Sequence, residues 1–224
     1  MPKHLVLVAG NIGAGKTSLA ERLAARLGWH VAYESVDDNP YLADFYADMR
    51  TWSFHLQVFF LGHRAEQHRS LMELPQSVVI DRSIYEDAHI FARALHDLGN
   101  MTDRDYQAYR RLYQLVVDTL PRPALLIYIK ASTPTLLAHI RRRGRAIENS
   151  IDAAYLDLLG RFYDEWMASF DLCPVLTVPG DRLDFVRYPQ HLEIITERVV
   201  DKLAGKEFVE FPPPEDCTLG IGAS

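Results

Sequence analysis

Residues 10–17, Gly-Asn-Ile-Gly-Ala-Gly-Lys-Thr, constrain the fold more than any other stretch of the chain. They satisfy the spacing G-x-x-x-x-G-K-[ST], follow the apolar run Leu5 to Ala9 and precede a segment of helical period. The chain must therefore leave a buried strand, turn tightly and enter a helix. Glycines at Gly10, Gly13 and Gly15 let the N–H groups around Asn11, Ile12 and Ala14 converge on an anion, and the positive end of the helix adds to the field. Such a turn cradles the phosphates of a nucleoside triphosphate such as ATP, with Lys16 reaching the β/γ-phosphates and Thr17 holding Mg²⁺. The competing reading, a glycine-rich turn that happens to contain a lysine, has to explain the flanking strand and helix as well as the spacing. Neither reading names a phosphoryl acceptor.

Short β-rich runs alternate with longer stretches of helical period, which predicts an α/β fold with a parallel sheet covered on both faces. The expected strands are His4–Ala9, His30–Tyr33, Ser77–Ile80, Ala124–Ile129 and Val175–Val178. The expected helices are Lys16–Leu27, Trp52–Leu74, Tyr85–His96, Asp103–Thr119, Thr133–Arg143, Ala153–Phe170 and Pro189–Leu203. With 224 residues, 48% of them hydrophobic, and no linker, residues 1–205 read as one domain and 206–224 as an extended tail containing Pro212-Pro213-Pro214. A net charge of −6 excludes the broad positive field that a nucleic-acid-coating or anionic-membrane protein needs. Cys173 and Cys217 have no disulfide or zinc-ligand pattern, and no apolar run approaches membrane-spanning length, so a soluble cytoplasmic protein is expected. The histidines at 55, 63, 68, 89 and 96 lack metal-ligand spacing and read as surface or core residues.

In doubly wound sheets ligands bind beyond the carboxyl ends of the strands. There the second strand delivers Glu34, a carboxylate able to take a proton from an attacking hydroxyl, unless it is only a solvated strand end. The third delivers Asp81 and Arg82, suited to a metal ion and to transition-state charge respectively, or alternatively a plain ion pair at a helix start. Phe54, Gln57, Leu61 and Arg64 share one helix face, and Asp87 and Phe91 share another. An amide, a guanidinium and a carboxylate between aromatic rings could read a nucleobase edge. A buried Arg64–Asp87 pair capped by Gln57 is the structural alternative.

Several segments together resemble the deoxynucleoside kinase family, and within it the bacterial deoxyadenosine and deoxyguanosine kinases. They are Glu34 to Leu42, Phe45-Tyr46, Trp52 to Gln57 with Arg64, Asp81 to Asp87, Arg143-Gly144-Arg145 with Glu148, and Asp184-Phe185. The resemblance extends to about residue 203. It implies a P-loop kinase fold with an arginine-containing lid, ATP and Mg²⁺, nucleoside salvage as the setting, and a homodimer. It also implies that Glu34 is the base for the 5′-hydroxyl and that Arg82 lies near it and the transferred group. Gln57 and Asp87, supported by Arg64, would bind the base, Phe91 would stack on it, and Tyr46 and Glu148 would hold the 3′-hydroxyl. Arg143 and Arg145 would clamp the ATP phosphates, and Phe185 would lie against its adenine. The first of the lid arginines is here His139, unless Arg141 or Arg142 takes that part. The stretch Arg141 to Arg143 also suits a solvated basic helix end.

The expected reaction is 5′-phosphorylation of a purine deoxynucleoside by ATP. A deoxycytidine-preferring or broad enzyme is the nearest alternative, because Gln57 can turn its amide either way. A thymidylate-type monophosphate kinase would need more cations around the acceptor than Glu34, Tyr46 and Glu148 offer. A non-catalytic nucleotide-binding protein would have no use for a base, a metal carboxylate and a lid together.

Overall fold

The computed structural model describes residues 3–33, 39–145, 151–207 and 210–211. Its strands are β1 (Leu5–Gly10), β2 (His30–Ala32), β3 (Val78–Asp81), β4 (Leu125–Lys130) and β5 (Val175–Pro179). The helices are α1 (Lys16–Leu27), α2 (Leu42–Ala47), α3 (Met49–Leu71), α4 (Ile84–Glu86), α5 (Arg93–Asp97), α6 (Asp103–Val117), α7 (Thr133–Arg143), α8 (Ala153–Ser169) and α9 (Pro189–Leu203). A π-helical stretch, Asp87–Ala92, joins α4 to α5.

All strands are parallel, in the order β2-β3-β1-β4-β5, so the strand that feeds the glycine turn is central. Leu7 sits opposite Ile80 on one side and Leu126 on the other. Every β1 residue is buried, as a strand covered on both faces requires. The period of two then divides the core: Leu5, Leu7 and Ala9 pack with Ile80, Leu126 and Tyr163, whereas Val6 and Val8 pack with Leu19, Leu136 and Ile195. The first set lies under α3, α6 and α8, and the second under α1, α7 and α9.

The expected strands agree within one or two residues, and α1, α7 and α9 match the expected bounds. Three differences stand out. The long helix starts at Met49, three residues early, because Asp48 accepts from the Thr51 N–H (3.2 Å) and caps it. The helix expected over Tyr85–His96 widens to π geometry in its middle. The short helix α2, absent from the expected set, is held by Phe45 buried among Leu56, Phe60 and Met101. Where the tail begins, the Glu210 carbonyl accepts from Arg198 (2.8 Å) and Phe211 packs on the second core set, so this part is less loose than the sequence suggests. No helix among the described residues is long and apolar enough to cross a membrane.

Candidate active site

The turn after β1 is held from several sides. Asn11 Oδ1 accepts from the Ile12 N–H (2.8 Å) and its Nδ2 donates to the Leu156 carbonyl of α8 (2.9 Å). His139 Nδ1 donates to the Gly13 carbonyl (2.8 Å), and Gly13 itself is at φ 85° where α7 approaches closely. Lys16 Nζ lies 2.7 Å from the Gly10 carbonyl and 3.1 Å from that of Asn11. Its ammonium is thus kept at the mouth of the cradle.

A cavity of about 490 Å³ opens over this turn. Its walls include Lys16 and Thr17, Asp81 at the end of β3 and Arg82 just after it, His139, Arg142 and Arg143 of α7 with Arg145 just beyond it, and Phe185. Of the two candidates for the place of the first lid arginine, Arg142 lines this cavity. The Phe185 ring, 4% exposed, packs beneath Gly15. Asp181 accepts from the N–H (3.0 Å) and the hydroxyl (2.9 Å) of Ser132, so the loop after β5 holds the start of α7, the helix that carries Arg142 and Arg143 to the cavity.

Thr17 Oγ1 donates to Asp81 Oδ2 at 2.5 Å, and Asp81 Oδ1 is buried with no hydrogen-bond partner. A hydroxyl beside an orphaned carboxylate oxygen offers the hard oxygen donors that Mg²⁺ prefers. The residues therefore fit the ion that the turn motif implies.

Arg82, which lines the cavity, also belongs to a buried charged cluster. Arg64 of α3 (4% exposed) donates through Nε to Asp87 Oδ2 (1% exposed), and Arg82 Nε donates to Asp87 Oδ1 at 3.3 Å. The structural alternative raised by the sequence, an Arg64–Asp87 pair, is thus formed, and it shares its carboxylate with Arg82. Arg82 occupies the left-handed region (φ 68°), strained for a residue with a Cβ, and its guanidinium lies 3.7 Å from the Phe91 ring centre. Gln57 is 4% exposed, yet its Oε1 has no partner. A buried amide oxygen left unmade costs free energy unless a ligand supplies the donor. Tyr46 is half exposed beside Phe45, and the half-buried Tyr155 of α8 has its hydroxyl pushed up by burial, with Arg82 and Tyr46 nearby. Glu34 and Glu148 lie outside the described residues.

The sequence reading missed Glu86 and Tyr163. Glu86 is fully buried, accepts from the Ser83 N–H (2.9 Å) and the Gly10 N–H (3.2 Å), and burial pushes its carboxyl up against the opposing pull of Lys16 and Arg82. Tyr163 Oη reaches both Glu86 Oε1 and the Gly10 carbonyl. The spacing Ser83-x-x-Glu86 was visible as a helix-capping pattern, but such a glutamate is ordinarily read as a surface group.

The family model described as deoxynucleoside kinase matches residues 6–204. A deoxyadenosine/deoxycytidine kinase of Bacillus subtilis is 38% identical, covering 89% of this chain and 93% of that protein. A deoxyguanosine kinase of Lactobacillus acidophilus is 37% identical over 97% of both chains. Among solved structures, the deoxyadenosine kinase of M. mycoides with bound dATP superposes with a TM-score of 0.75 at 28% identity, covering 88% of this chain and 99% of that one. The same M. mycoides enzyme with dCMP and a flexible dCDP gives a TM-score of 0.77 at 29% identity, with the same coverage.

Proposed function

The chain belongs to the deoxynucleoside kinase family, and from that premise we propose that it transfers the γ-phosphoryl group of ATP to the 5′-hydroxyl of a purine deoxynucleoside, deoxyadenosine or deoxyguanosine. The observation that carries this reading is the buried Arg64–Asp87–Arg82 cluster, joined through Arg82 to the cavity over the phosphate cradle, with the buried and unpartnered Gln57 Oε1 on the same helix as Arg64. An amino group on a base edge would satisfy that oxygen, and the amide can reverse to serve a carbonyl instead. Named relatives act on adenine, guanine and cytosine nucleosides, so the purine assignment is the finer part of the proposal.

Phosphoryl transfer asks the protein mainly for positioning and charge neutralisation. Glu34 takes the 5′-hydroxyl proton as the oxygen attacks. Lys16, Arg82, Arg143 and Arg145 bear on the charge spread over the transferred group and the leaving diphosphate, and Tyr46 and Glu148 hold the sugar. Thr17 and Asp81 would hold Mg²⁺, which when bound neutralises phosphate charge. Phe91 supplies a flat apolar surface for the base.

The test is an ATP-coupled assay on deoxyadenosine, deoxyguanosine, deoxycytidine, thymidine and their 5′-monophosphates. Highest kcat/KM on a purine deoxynucleoside supports the proposal, preference for deoxycytidine removes the purine assignment, and turnover of monophosphates alone removes the acceptor assignment. Glu34→Gln should lower kcat by on the order of 10²-fold or more with ATP binding nearly intact.

A further inference from the structure

Glu86 is the most buried acid among the described residues, at 0% exposure, and none of the described lysines or arginines reaches ion-pair distance of it. The groups that face it are Lys16 from the cradle, Arg82 from the turn after β3, Tyr163 from α8 and Tyr128 from β4. Tyr163 Oη lies 2.7 Å from Glu86 Oε1 and 2.8 Å from the Gly10 carbonyl oxygen. Three oxygens in a row at these separations require two hydrogens, because two oxygens at that distance with no hydrogen between them repel. The tyrosine brings one, and a peptide carbonyl brings none. The second belongs to the carboxyl group of Glu86.

We propose that Glu86 is held as a neutral carboxylic acid and serves as a positioning residue, fixing the first peptide of the phosphate cradle against the Asp81–Arg82 turn. Glu86 Oε1–H donates to Tyr163 and the Tyr163 hydroxyl donates to the Gly10 carbonyl. The Gly10 N–H returns to Oε1, and the Ser83 N–H reaches Oε2. The ring of contacts thus clamps both ends of one glycine. Neutrality matters because a carboxylate beneath the cradle would repel the incoming phosphates and compete with them for Lys16. Burial, which raises the acid's affinity for its proton, acts in the same direction.

This inference rests on residues 10–17 being the donor-phosphate site, and its test separates the two. Infrared spectra of the full-length protein near pH 7 should show a carboxylic-acid C=O band above the carboxylate region that shifts in D₂O and vanishes in Glu86→Gln. Glu86→Ala breaks the ring and should raise the KM for ATP by on the order of tenfold or more while moving the nucleoside KM by less than about threefold. Glu86→Gln, whose amide can donate to Tyr163 and accept from Ser83, should recover most of that loss. Absence of the band in the unsubstituted protein, or an ATP KM raised as far in Glu86→Gln as in Glu86→Ala, overturns the proposal. Should Glu86→Ala fail to fold, the band decides. The band present with no nucleoside turned over would support the neutral acid and count against the kinase reading alone.

Discussion

Substituting Gly13 by alanine separates the two reasons a glycine stands there. The residue is at φ 85°, and a Cβ would lie 2.8 Å from the Leu136 carbonyl oxygen and 3.0 Å from Ile140 Cγ1. Gly28, at the end of α1, is also left-handed (φ 68°) but an added Cβ meets nothing within 4 Å. Alanine at Gly28 therefore carries the left-handed backbone cost alone, roughly 1–2 kcal/mol. At Gly13 the same cost is joined by a clash with helix backbone, which cannot rotate aside as a side chain would. Overpacking of this kind costs about 1–3 kcal/mol, so the total should be about 2–5 kcal/mol. Because α7 carries His139, Arg142 and Arg143 to the cavity, the displaced helix should also raise the KM for ATP in Gly13→Ala and leave it unchanged in Gly28→Ala. Urea unfolding at 25 °C and initial-rate kinetics measure both. Equal losses of stability in the two variants would refute the claim that the approach of α7, rather than backbone conformation, fixes this glycine.

Asp87→Ala removes the carboxylate shared by Arg64 and Arg82 and should cost about 3–5 kcal/mol in urea unfolding, because the Arg64 guanidinium stays buried. Replacing the pair together, Arg64→Met with Asp87→Leu, should recover much of that stability while nucleoside binding by calorimetry stays lost. Thr17→Ala should raise the Mg²⁺ concentration for half-maximal rate by about 10–100-fold, read from a magnesium titration at fixed ATP. His89 stacks on Trp166, and burial, helped by Arg110 and Arg93, lowers its pKa from 6.5 to about 4. The unfolded chain then binds the proton more readily, so stability falls as pH drops from 6.5 toward 4 and levels off below. The loss over that window should be on the order of 3 kcal/mol and should shrink in His89→Gln when unfolding is followed against pH.

The parts legible in the sequence were those whose physics is local. The glycine turn, the strand before it and α1 after it are dictated by a dozen neighbouring residues, and the alternation of Leu5, Leu7 and Ala9 with Val6 and Val8 already divides the core between the sheet's two faces. The burial of Gln57, Arg64 and Asp87 was legible by pattern as well, since Gln57 and Arg64 interrupt one apolar helix face and Asp87 sits near Phe91 on a different helix. What could not be read was how the pieces share partners. Asp87 divides its two oxygens between Arg64 and Arg82, and Arg82 pays for its place with a left-handed backbone, a condition set by the turn and invisible in residue type. The π-helical widening at Asp87–Ala92 was hidden for a similar reason, because its composition suits an ordinary α-helix.

Glu86 marks that limit. A glutamate three residues after a serine at a helix start satisfies a local rule completely, and local reasoning has no cause to look further. Only when β1 and β3 lie side by side and α8 crosses above them does the same carboxyl group meet Gly10 and Tyr163, residues 76 and 77 positions away in the chain. Its environment then inverts the usual chemistry of the capping pattern: the carboxyl group is fully buried, two hydrogens must serve three oxygens, and the charge that would help a surface helix would here oppose the phosphates. A buried acid that repeats a surface motif should therefore be judged by its hydrogen count.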